Sequence, residues 1–270
     1  MITIEQLKEI DQKNSVKPIG RRRIRSLLGC SEYEARFIKM ALDHKDSLRT
    51  LLGAPVGGNV LVVGDLHAPF IKDGYLDFCY NMKREYSCTR VVFIGDLIDN
   101  HYSSYHEADP DGHSAGEELE RAIAQISEWH RAFPYADVIL GNHDNIPNRK
   151  AFSSGVSSRW IKSVGEVLET PGWSYSEELE IDGVLYVHGT GQKAKNRMKT
   201  NMMSVVQGHY HSESYIDNSV GVNHRIFCMQ VGCGIDRKKY AFAYGRNFPK
   251  PHINCGVIVD GTPILKYMPL

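Results

Sequence analysis

Five short apolar runs, each followed by a turn of glycine and polar residues, set the strongest limit on how this chain can fold. The runs are typical of buried β-strands, and segments with helical spacing of apolar residues lie between several of them. The helical segments are residues 76–85, a segment after Ser114 whose capping box includes Glu117, and residues 160–168. Alternating strands and helices predict an α/β fold. The five runs are residues 60–63, 91–94, 138–140, 184–187 and 204–207.

Each run ends in a cluster that contains Asp, Asn or His. Sites in α/β sheets form outside the carboxyl ends of the strands, so the five clusters predict one shared site. The clusters are Gly64-Asp65-Leu66-His67, Gly95-Asp96-Leu97-Ile98-Asp99, Gly141-Asn142-His143-Asp144, His188-Gly189 and Gly208-His209-Tyr210-His211.

The side chains in these clusters are typical of a transition-metal site. Imidazole, carboxylate and amide oxygen together suit Mn²⁺, Fe or Zn²⁺ rather than Ca²⁺ or a thiolate site. Seven candidate ligands are too many for one catalytic metal with open positions, but they suit two metals about 3.5–4 Å apart that share a carboxylate. The candidates are Asp65, His67, Asp96, Asn142, His188, His209 and His211.

This order of motifs over residues 59–211 resembles the calcineurin-like metallophosphoesterase superfamily. The resemblance implies a four-layer α-β-β-α sandwich of two mixed sheets, here with a small all-α segment before it. It also implies two divalent cations, Mn²⁺ first, with Fe, Zn²⁺ or Ni²⁺ as alternatives. One cation would be held by Asp65, His67, Asp96 and His211, and the other by Asp96, Asn142, His188 and His209, with Asp96 bridging.

The resemblance also implies a mechanism. A metal-bridging hydroxide would attack phosphorus in line. His143 would protonate the leaving oxygen or stabilise its charge, and Asp99 would orient His143.

Two motifs differ from those of one branch of the superfamily, and the differences narrow the range of possible substrates. Ser/Thr protein phosphatases carry Asp-Arg-Gly in the second motif and Asn-His-Glu in the third. Here the motifs read Asp99-Asn100-His101 and Asn142-His143-Asp144, which argues against a protein phosphatase. Nucleases and small phosphodiesterases share Asn-His-Asp, so both classes stay open.

Two polar segments are candidates for substrate contact. Residues 100–116 form a loop with three histidines that resembles phage-encoded members of the superfamily, and Asn100 and His101 are its predicted contacts. Residues 191–199 carry a group of cations, of which Lys193, Lys195 and Arg197 would attract a polyanion. A solvated loop and an exposed helix face are the respective alternatives. Tyr102, Tyr105, Trp160 and Trp173 would either stack on bases or pack within the fold.

The first 52 residues read as a small helical unit. Apolar spacing predicts helices around Ile4–Leu7–Ile10, over residues 21–28, and after a turn at Gly29-Cys30-Ser31. The pattern resembles a helix-turn-helix, which predicts DNA contact, whereas Glu32 and Glu34 at the start of the last helix oppose it. A helical bundle packed on the main domain is the alternative. The predicted phosphate contacts are Lys17, Arg21, Arg22, Arg23 and Arg25.

The composition and charge distribution of the chain predict its domain organisation and its cellular compartment. Lys and Arg total 32, as do Asp and Glu, which excludes a bulk polycation, yet residues 1–55 hold 11 basic against 7 acidic side chains. We expect a helical unit at 1–52, a linker at 53–58 and the catalytic domain at 59–270. With no bilayer-length apolar stretch, no secretory pattern and scattered cysteines, we expect a cytoplasmic protein without a membrane partner, in the host cytoplasm if phage-encoded.

Three functional hypotheses follow, and the oligomeric state stays open. The first is a phosphodiesterase that acts on DNA or RNA, with the N-terminal helices providing grip. The second is a phosphoesterase for a small nucleotide or another phosphorylated metabolite. The third, a DNA-binding protein with a vestigial core, is disfavoured because every expected ligand is present.

Overall fold

Two β-sheets and the helices around them make up the structure, a computed structural model. It describes residues 18–43, 58–103, 113–222, 224–243 and 249–269, and residues 6, 9, 10, 13 and 14 near the N terminus. The strands are β1 (Val60–Val63), β2 (Arg90–Phe93), β3 (Ala136–Ile139), β4 (Trp173–Ser176), β5 (Glu178–Ile181), β6 (Val184–Val187), β7 (Ser204–Gln207), β8 (Tyr215–Val220), β9 (Arg225–Gln230), β10 (Asn254–Val259) and β11 (Thr262–Tyr267). The helices are α1 (Arg21–Leu28), α2 (Glu32–Asp43), α3 (Tyr75–Glu85), α4 (Ala115–Ala132), α5 (Ile146–Ser153), α6 (Val164–Val167), α7 (Ala194–Asn201) and α8 (Arg237–Ala243).

The first sheet has six strands in the order β11-β10-β1-β2-β3-β4. Strands β1 to β4 run parallel, whereas β10 and β11 are antiparallel additions at the other side of β1. Val60 therefore faces Arg90 on one neighbour and Ile258 on the other. The central strand needs partners from distant parts of the chain.

The second sheet has five strands in the order β5-β6-β7-β9-β8. Its three middle strands, β6, β7 and β9, are parallel, and both edge strands are antiparallel. The carboxyl ends of β6 and β7 thus lie side by side, as do those of β1, β2 and β3 in the first sheet.

Alternate residues of β1 and β2 face different layers, because successive side chains of a strand point to opposite faces. Val62 and Ile94 pack against the second sheet, in one apolar cluster with Tyr186, Val206 and Met229. On the other face, Phe93 lies in a cluster that includes Trp129 of α4 and Cys79 of α3. Helix α7 covers the outer face of the second sheet through Ala194 and Met198. These layers confirm the predicted α-β-β-α sandwich.

The N-terminal helices have an apolar cluster of their own. Helix α1 has the predicted bounds and ends at Gly29, whose left-handed backbone (φ 61°) closes the helix. Ser31 and Glu34 form the predicted capping box at the start of α2. The predicted helix around residues 4–10 falls mostly outside the described residues, as does the linker, so the domain boundaries stay predictions. The cluster contains Ile10, Ile19, Ile24, Ala35, Ile38 and Leu42.

The predicted helix over residues 160–168 is wrong in its extent. The chain instead forms a 3₁₀ turn at Ser158–Trp160 and the separate short helix α6. Ser163 causes the break, because its side chain accepts a hydrogen bond from the Glu166 backbone and starts a new helix. None of the described helices is long and apolar enough to cross a bilayer.

Candidate metal centre and active site

The seven predicted ligands come together where the two sheets meet. Asp65 and His67 follow β1, Asp96 follows β2, and Asn142 follows β3. The second sheet contributes His188 after β6, and His209 and His211 after β7. Each sheet therefore supplies part of the site, as expected when carboxyl ends of parallel strands share one edge.

A first group of ligand atoms comprises Asp65, His67, Asp96 and His211, all within 4.8 Å of one another. His211 Nε2 lies 3.1 Å from Asp65 Oδ2 and 3.2 Å from His67 Nε2. His67 Nε2 also lies 3.5 Å from Asp96 Oδ2. Nitrogen and oxygen donors with lone pairs thus converge on a common point.

A second group comprises Asp96, His188 and His209, again within 4.8 Å. His188 Nε2 lies 3.0 Å from Asp96 Oδ2, 3.2 Å from His209 Nδ1 and 3.0 Å from Asn142 Oδ1. Asp96 belongs to both groups. The arrangement fits a carboxylate shared between two cations.

Two buried carboxylate oxygens test whether cations fit here. Asp65 Oδ1 is buried, and no described residue donates a hydrogen bond to it. Asp96 Oδ2 is also buried and faces the Nε2 atoms of His188 and His67, at 3.0 and 3.5 Å. Burying an unsatisfied carboxylate oxygen is costly unless a positive charge compensates it. With imidazole nitrogens around them, these oxygens fit divalent transition metals.

Hydrogen bonds fix which histidine nitrogens face the site. His67 Nδ1 lies 2.6 Å from Asp99 Oδ1, and His188 Nδ1 donates to the Ile94 carbonyl at 3.0 Å. In both rings Nδ1 therefore carries the hydrogen and Nε2 is directed at the ligand groups. Such partners orient metal-binding histidines and raise their basicity.

Opposing effects shift the pKa values of the buried groups in the metal-free site. Burial lowers the pKa of His67, but hydrogen bonds to Asp96 and Asp99 outweigh it and raise the pKa to about 10. Burial likewise lowers the pKa of His188, yet the Asp96 and Asp65 charges raise it to about 9. Burial raises the pKa of Asp96, but the charges of His188 and His143 hold it well below its usual value. Without metal, protons therefore occupy positions that cations would fill.

Three of the ligand residues have a left-handed backbone. The φ angles are 48° at His67, 48° at Asp96 and 73° at His209. Non-glycine residues rarely adopt this region, and each instance costs about 1–3 kcal/mol. The loops turn sharply at the ligands themselves, which aims side chains from neighbouring strands at one point.

Asp144 connects the second and third motifs, a role that the sequence analysis missed. Its Oδ1 accepts from the Leu97 backbone N–H and its Oδ2 from that of Gly141, both at 2.9 Å. Asp144 is the last residue of Gly-Asn-His-Asp, so its place in the motif was the available signal. Gly141 is needed because a Cβ there would collide with the Asp96 carboxylate and backbone nitrogen.

His143 and Asp99 lie beside the ligand groups in a different pairing from the predicted one. His143 Nδ1 donates to the Asp99 backbone carbonyl at 2.5 Å, while its distance to the Asp99 carboxylate is 3.4 Å. That carboxylate is closer to His67. Asp99 therefore positions His67 through its side chain and His143 through its main chain.

The residues of the 100–116 loop that were predicted to contact substrate differ in burial and in hydrogen-bond partners. Their roles in substrate binding stay predictions. Asn100 donates from Nδ2 to the His143 carbonyl at 2.9 Å. His101 is 3% exposed, and its backbone N–H donates to Glu118. His106 and Tyr105 lie outside the described residues.

The cations near α7 bind to groups of the protein itself. Lys193 pairs with Glu213 at 2.5 Å and Lys195 with Asp217 at 2.6 Å. Arg197 Nε donates to Gln207 Oε1 at 3.3 Å. Sequence alone did not reveal these partners, because they lie later in the chain, on β7, on β8 and in the turn between them.

Tyr240 is a further neighbour that the sequence analysis missed. Its ring meets His67 edge-on with centroids 5.4 Å apart, and His211 with centroids 6.3 Å apart. It lies on α8, far from the motifs in sequence, and no local pattern marks it. It covers one side of the first ligand group.

Residues 58–230 match a known family model, described as calcineurin-like phosphoesterase. No match was found among curated proteins. Among solved structures, the phosphoesterase YfcE from E. coli shares 12% identity with a TM-score of 0.35, over 75% of this chain and 88% of that one. Vacuolar protein sorting 29 from Cryptosporidium parvum shares 12% identity with a TM-score of 0.38, over 79% and 98%. Nuclease MPE from Pseudomonas putida shares 10% identity with a TM-score of 0.34, over 77% and 87%.

Proposed function

Because the chain belongs to the calcineurin-like phosphoesterase family, we propose that it hydrolyses phosphodiester bonds of nucleic acid with two divalent cations. Membership makes it a metal-dependent phosphoester hydrolase. The number of cations, their identity and the nucleic-acid substrate belong to the proposal. Mn²⁺ is the first choice, with Fe, Zn²⁺ and Ni²⁺ as alternatives compatible with the donor set.

The position of Asp96 carries the two-cation part of the proposal. Its carboxylate contributes to both ligand groups, and its Oδ2 lies 3.5 Å from His67 Nε2 of one group and 3.0 Å from His188 Nε2 of the other. Asp65, His67 and His211 would complete one cation site, and Asn142, His188 and His209 the other. A shared carboxylate between adjacent sites is the arrangement that two-metal hydrolases use.

The chain's own residues supply the rest of the chemistry. When bound, the two cations would offset phosphate charge and lower the pKa of a water molecule so that it can attack phosphorus near neutral pH. His143 Nδ1 is fixed by the Asp99 carbonyl, which leaves Nε2 to carry a proton to the leaving oxygen. As water adds to phosphorus, the bond to the leaving oxygen breaks and that oxygen takes the proton.

The basic helix α1 supports nucleic acid as the substrate. Its arginines are exposed, and Arg22 and Arg23 form no ion pair with any described residue. Arg21 and Arg25 instead face Glu32 at 3.8 and 3.2 Å. Two guanidinium groups on one short helix, neither of them paired within the described part of the chain, would contact phosphates. Lys17 lies outside the described residues, and its predicted phosphate contact stays a prediction.

One observation favours a small nucleotide as the second candidate substrate. A cavity of about 250 Å³ lies beside His209, His211 and Tyr240. Lys193 and Lys195 already pair with carboxylates, which weakens their attraction for a long polyanion. A mononucleotide diester would fit such a cavity without help from distant cations.

Cleavage of labelled DNA tests the proposal. Metal-stripped protein, the same protein with Mn²⁺, and an Asp96→Asn variant would be incubated with end-labelled single- and double-stranded DNA. We expect Mn²⁺-dependent cleavage that the variant loses, because both cation sites depend on the Asp96 carboxylate.

A chromogenic phosphodiester provides the control. Hydrolysis of this small ester without any DNA cleavage would contradict the nuclease proposal and favour the small-nucleotide candidate. Near-normal turnover by Asp96→Asn would contradict the shared-carboxylate model.

A further inference from the structure

Two aromatic rings protrude from the segment that follows the third motif. Phe152 at the end of α5 and Trp160 in the 3₁₀ turn are each 84% exposed. Gly155 reverses the chain between them with φ 70°, and Val156 N–H closes the reversal on the Ala151 carbonyl. The turn therefore lies next to α5. Two large aromatic side chains exposed on adjoining elements are typical of a surface that contacts a partner.

The same segment is strongly basic. Residues 145–165 include four cations and no carboxylate. Arg159 forms no ion pair with any residue that the structure describes, and the same holds for Lys162. We call the set the aromatic–basic surface: Arg149, Lys150, Phe152, Arg159, Trp160 and Lys162.

This surface is joined directly to the candidate active site. Helix α5 begins two residues after Asp144, and the Ile146 N–H donates to the His143 carbonyl at 3.2 Å. Six residues of helix place Phe152 about 9 Å along the axis from Ile146. A strand bound at the metal centre would reach the surface within a few nucleotides.

We propose that the aromatic–basic surface binds single-stranded nucleic acid next to the scissile phosphate. The proposal rests on the nuclease function above and names its substrate class. Exposed rings stack on unpaired bases whatever their sequence, and the cations track the phosphates. Duplex bases are stacked on one another, so they cannot use these rings. The concentrated positive charge favours a polyanion over a second copy of the chain, whose identical surface would repel it.

The intrinsic fluorescence of Trp160 can report binding at this surface. Of its three tryptophans, Trp129 and Trp173 are at most 2% exposed, so Trp160 alone is in contact with solvent. In EDTA, to prevent cleavage, a single-stranded DNA 12-mer should quench the emission of Trp160. A duplex of the same sequence should quench it far less.

Paired variants test which side chains bind. Phe152→Ala/Trp160→Ala should weaken binding of a fluorescein-labelled 12-mer by about tenfold or more, measured by anisotropy. Trp160→Phe should retain most of the affinity, since a ring remains. Tyr80→Ala, which removes a 42% exposed ring from α3, is the matched control and should have no effect. Arg159→Glu/Lys162→Glu should weaken binding and reduce its salt dependence.

Hydrolysis of a chromogenic diester separates this proposal from the proposed function. All variants should keep wild-type turnover of that ester, because none of the changed residues is in the metal centre. Unchanged 12-mer affinity in the double alanine variant would overturn the surface proposal while leaving nuclease function intact. If the wild type binds no single strand at all, the surface proposal is wrong, whereas the nuclease function is decided separately by Mn²⁺-dependent cleavage of end-labelled single- and double-stranded DNA. Binding to anionic vesicles, or concentration-dependent self-association lost in the variant, would assign the surface to another occupant.

Discussion

Asp96 connects both ligand groups of the described site to the third motif. Its backbone is left-handed, its Oδ1 accepts from the His143 N–H at 2.8 Å, and its Oδ2 faces ligands of both groups. One side chain thus sets the position of both ligand groups and of the third motif. A glutamate at this position would keep the negative charge, but its longer side chain would displace the carboxylate from both ligand groups and from the His143 N–H.

His143→Ala should slow hydrolysis without removing metal, because His143 lies outside both groups that contain Asp96. Loss of a general acid costs about 10²–10⁴ in rate. The loss should be larger for an oligonucleotide than for a p-nitrophenyl ester, whose leaving group departs without a proton. Rates on both substrates and metal content by mass spectrometry would check this.

His224→Ala, at an exposed loop histidine, is the control and should match the wild type. A His143→Ala protein that lacked metal would show that His143 is a ligand.

At the scale of elements, the site depends on how closely the loops after β1, β2 and β3 approach. Leu66 and His67 donate their backbone N–H groups to the Asp96 carbonyl at 3.1 and 2.9 Å. Asp144 then connects the second loop to the third. Three loops are held as one unit by main-chain and carboxylate hydrogen bonds.

Gly141→Ala should lower metal affinity by about tenfold, because the added methyl group must push the Asp96 carboxylate aside. Titration of metal-stripped protein with Mn²⁺ would measure the affinity. Gly116→Ala is the matched control, since a Cβ there meets nothing within 4 Å. Equal Mn²⁺ affinity in the two variants would mean that the loops relax without moving Asp96.

Local pattern predicted the strands that carry the motifs. The bounds of β1, β6 and β7 match, and those of β2 and β3 differ by only one or two residues, because all five are buried apolar runs. Strands β8 and β11 escaped individual prediction because their half-buried residues alternate weakly. The pairing of β10 with β1 depends on contacts that are distant in sequence, such as Val60 with Ile258.

The same limit applies to the site. All seven candidate ligands could be selected because each follows an apolar strand. The sequence could not show whether a given aromatic side chain is buried or exposed. Trp173 is in the core, whereas Trp160 is exposed to solvent. The carboxylate of Asp99 likewise orients a different histidine from the one predicted.

For the whole molecule, cation binding should join the two sheets, since each supplies ligands. Binding should also release protons. The raised pKa values of about 10 for His67 and about 9 for His188 mean that both are protonated at pH 7.5 in the metal-free protein. Their Nε2 atoms must lose those protons to bind metal.

We therefore expect about two protons released per protein at pH 7.5, with Mn²⁺ affinity rising up to about pH 9–10. Calorimetry in buffers of different ionisation enthalpy would count them. In metal-free protein, the same shifts contribute stability that is fully present below about pH 6.5 and is lost as pH rises through 9 and 10. Affinity independent of pH would contradict the assignment of these histidines.

Deleting residues 1–52 should leave the catalytic fold intact. Within the part of the chain that the structure describes, the apolar cluster of the N-terminal helices includes no residue from either sheet. We expect unchanged hydrolysis of the chromogenic diester and weaker binding to double-stranded DNA. Unchanged DNA affinity would rule out the helix-turn-helix hypothesis.

The position of β10 beside β1 governs when the enzyme can first work during its synthesis. The ribosome makes the three loops of the first sheet early, but β1 lacks one neighbour until residues 254–259 emerge. His211 and Asp65, in contact in the finished fold, are 146 residues apart along the chain. A nascent chain therefore cannot complete the first sheet and the ligand set until almost all of the described sequence has left the exit tunnel, so hydrolysis of a phosphoester has to wait for the end of synthesis.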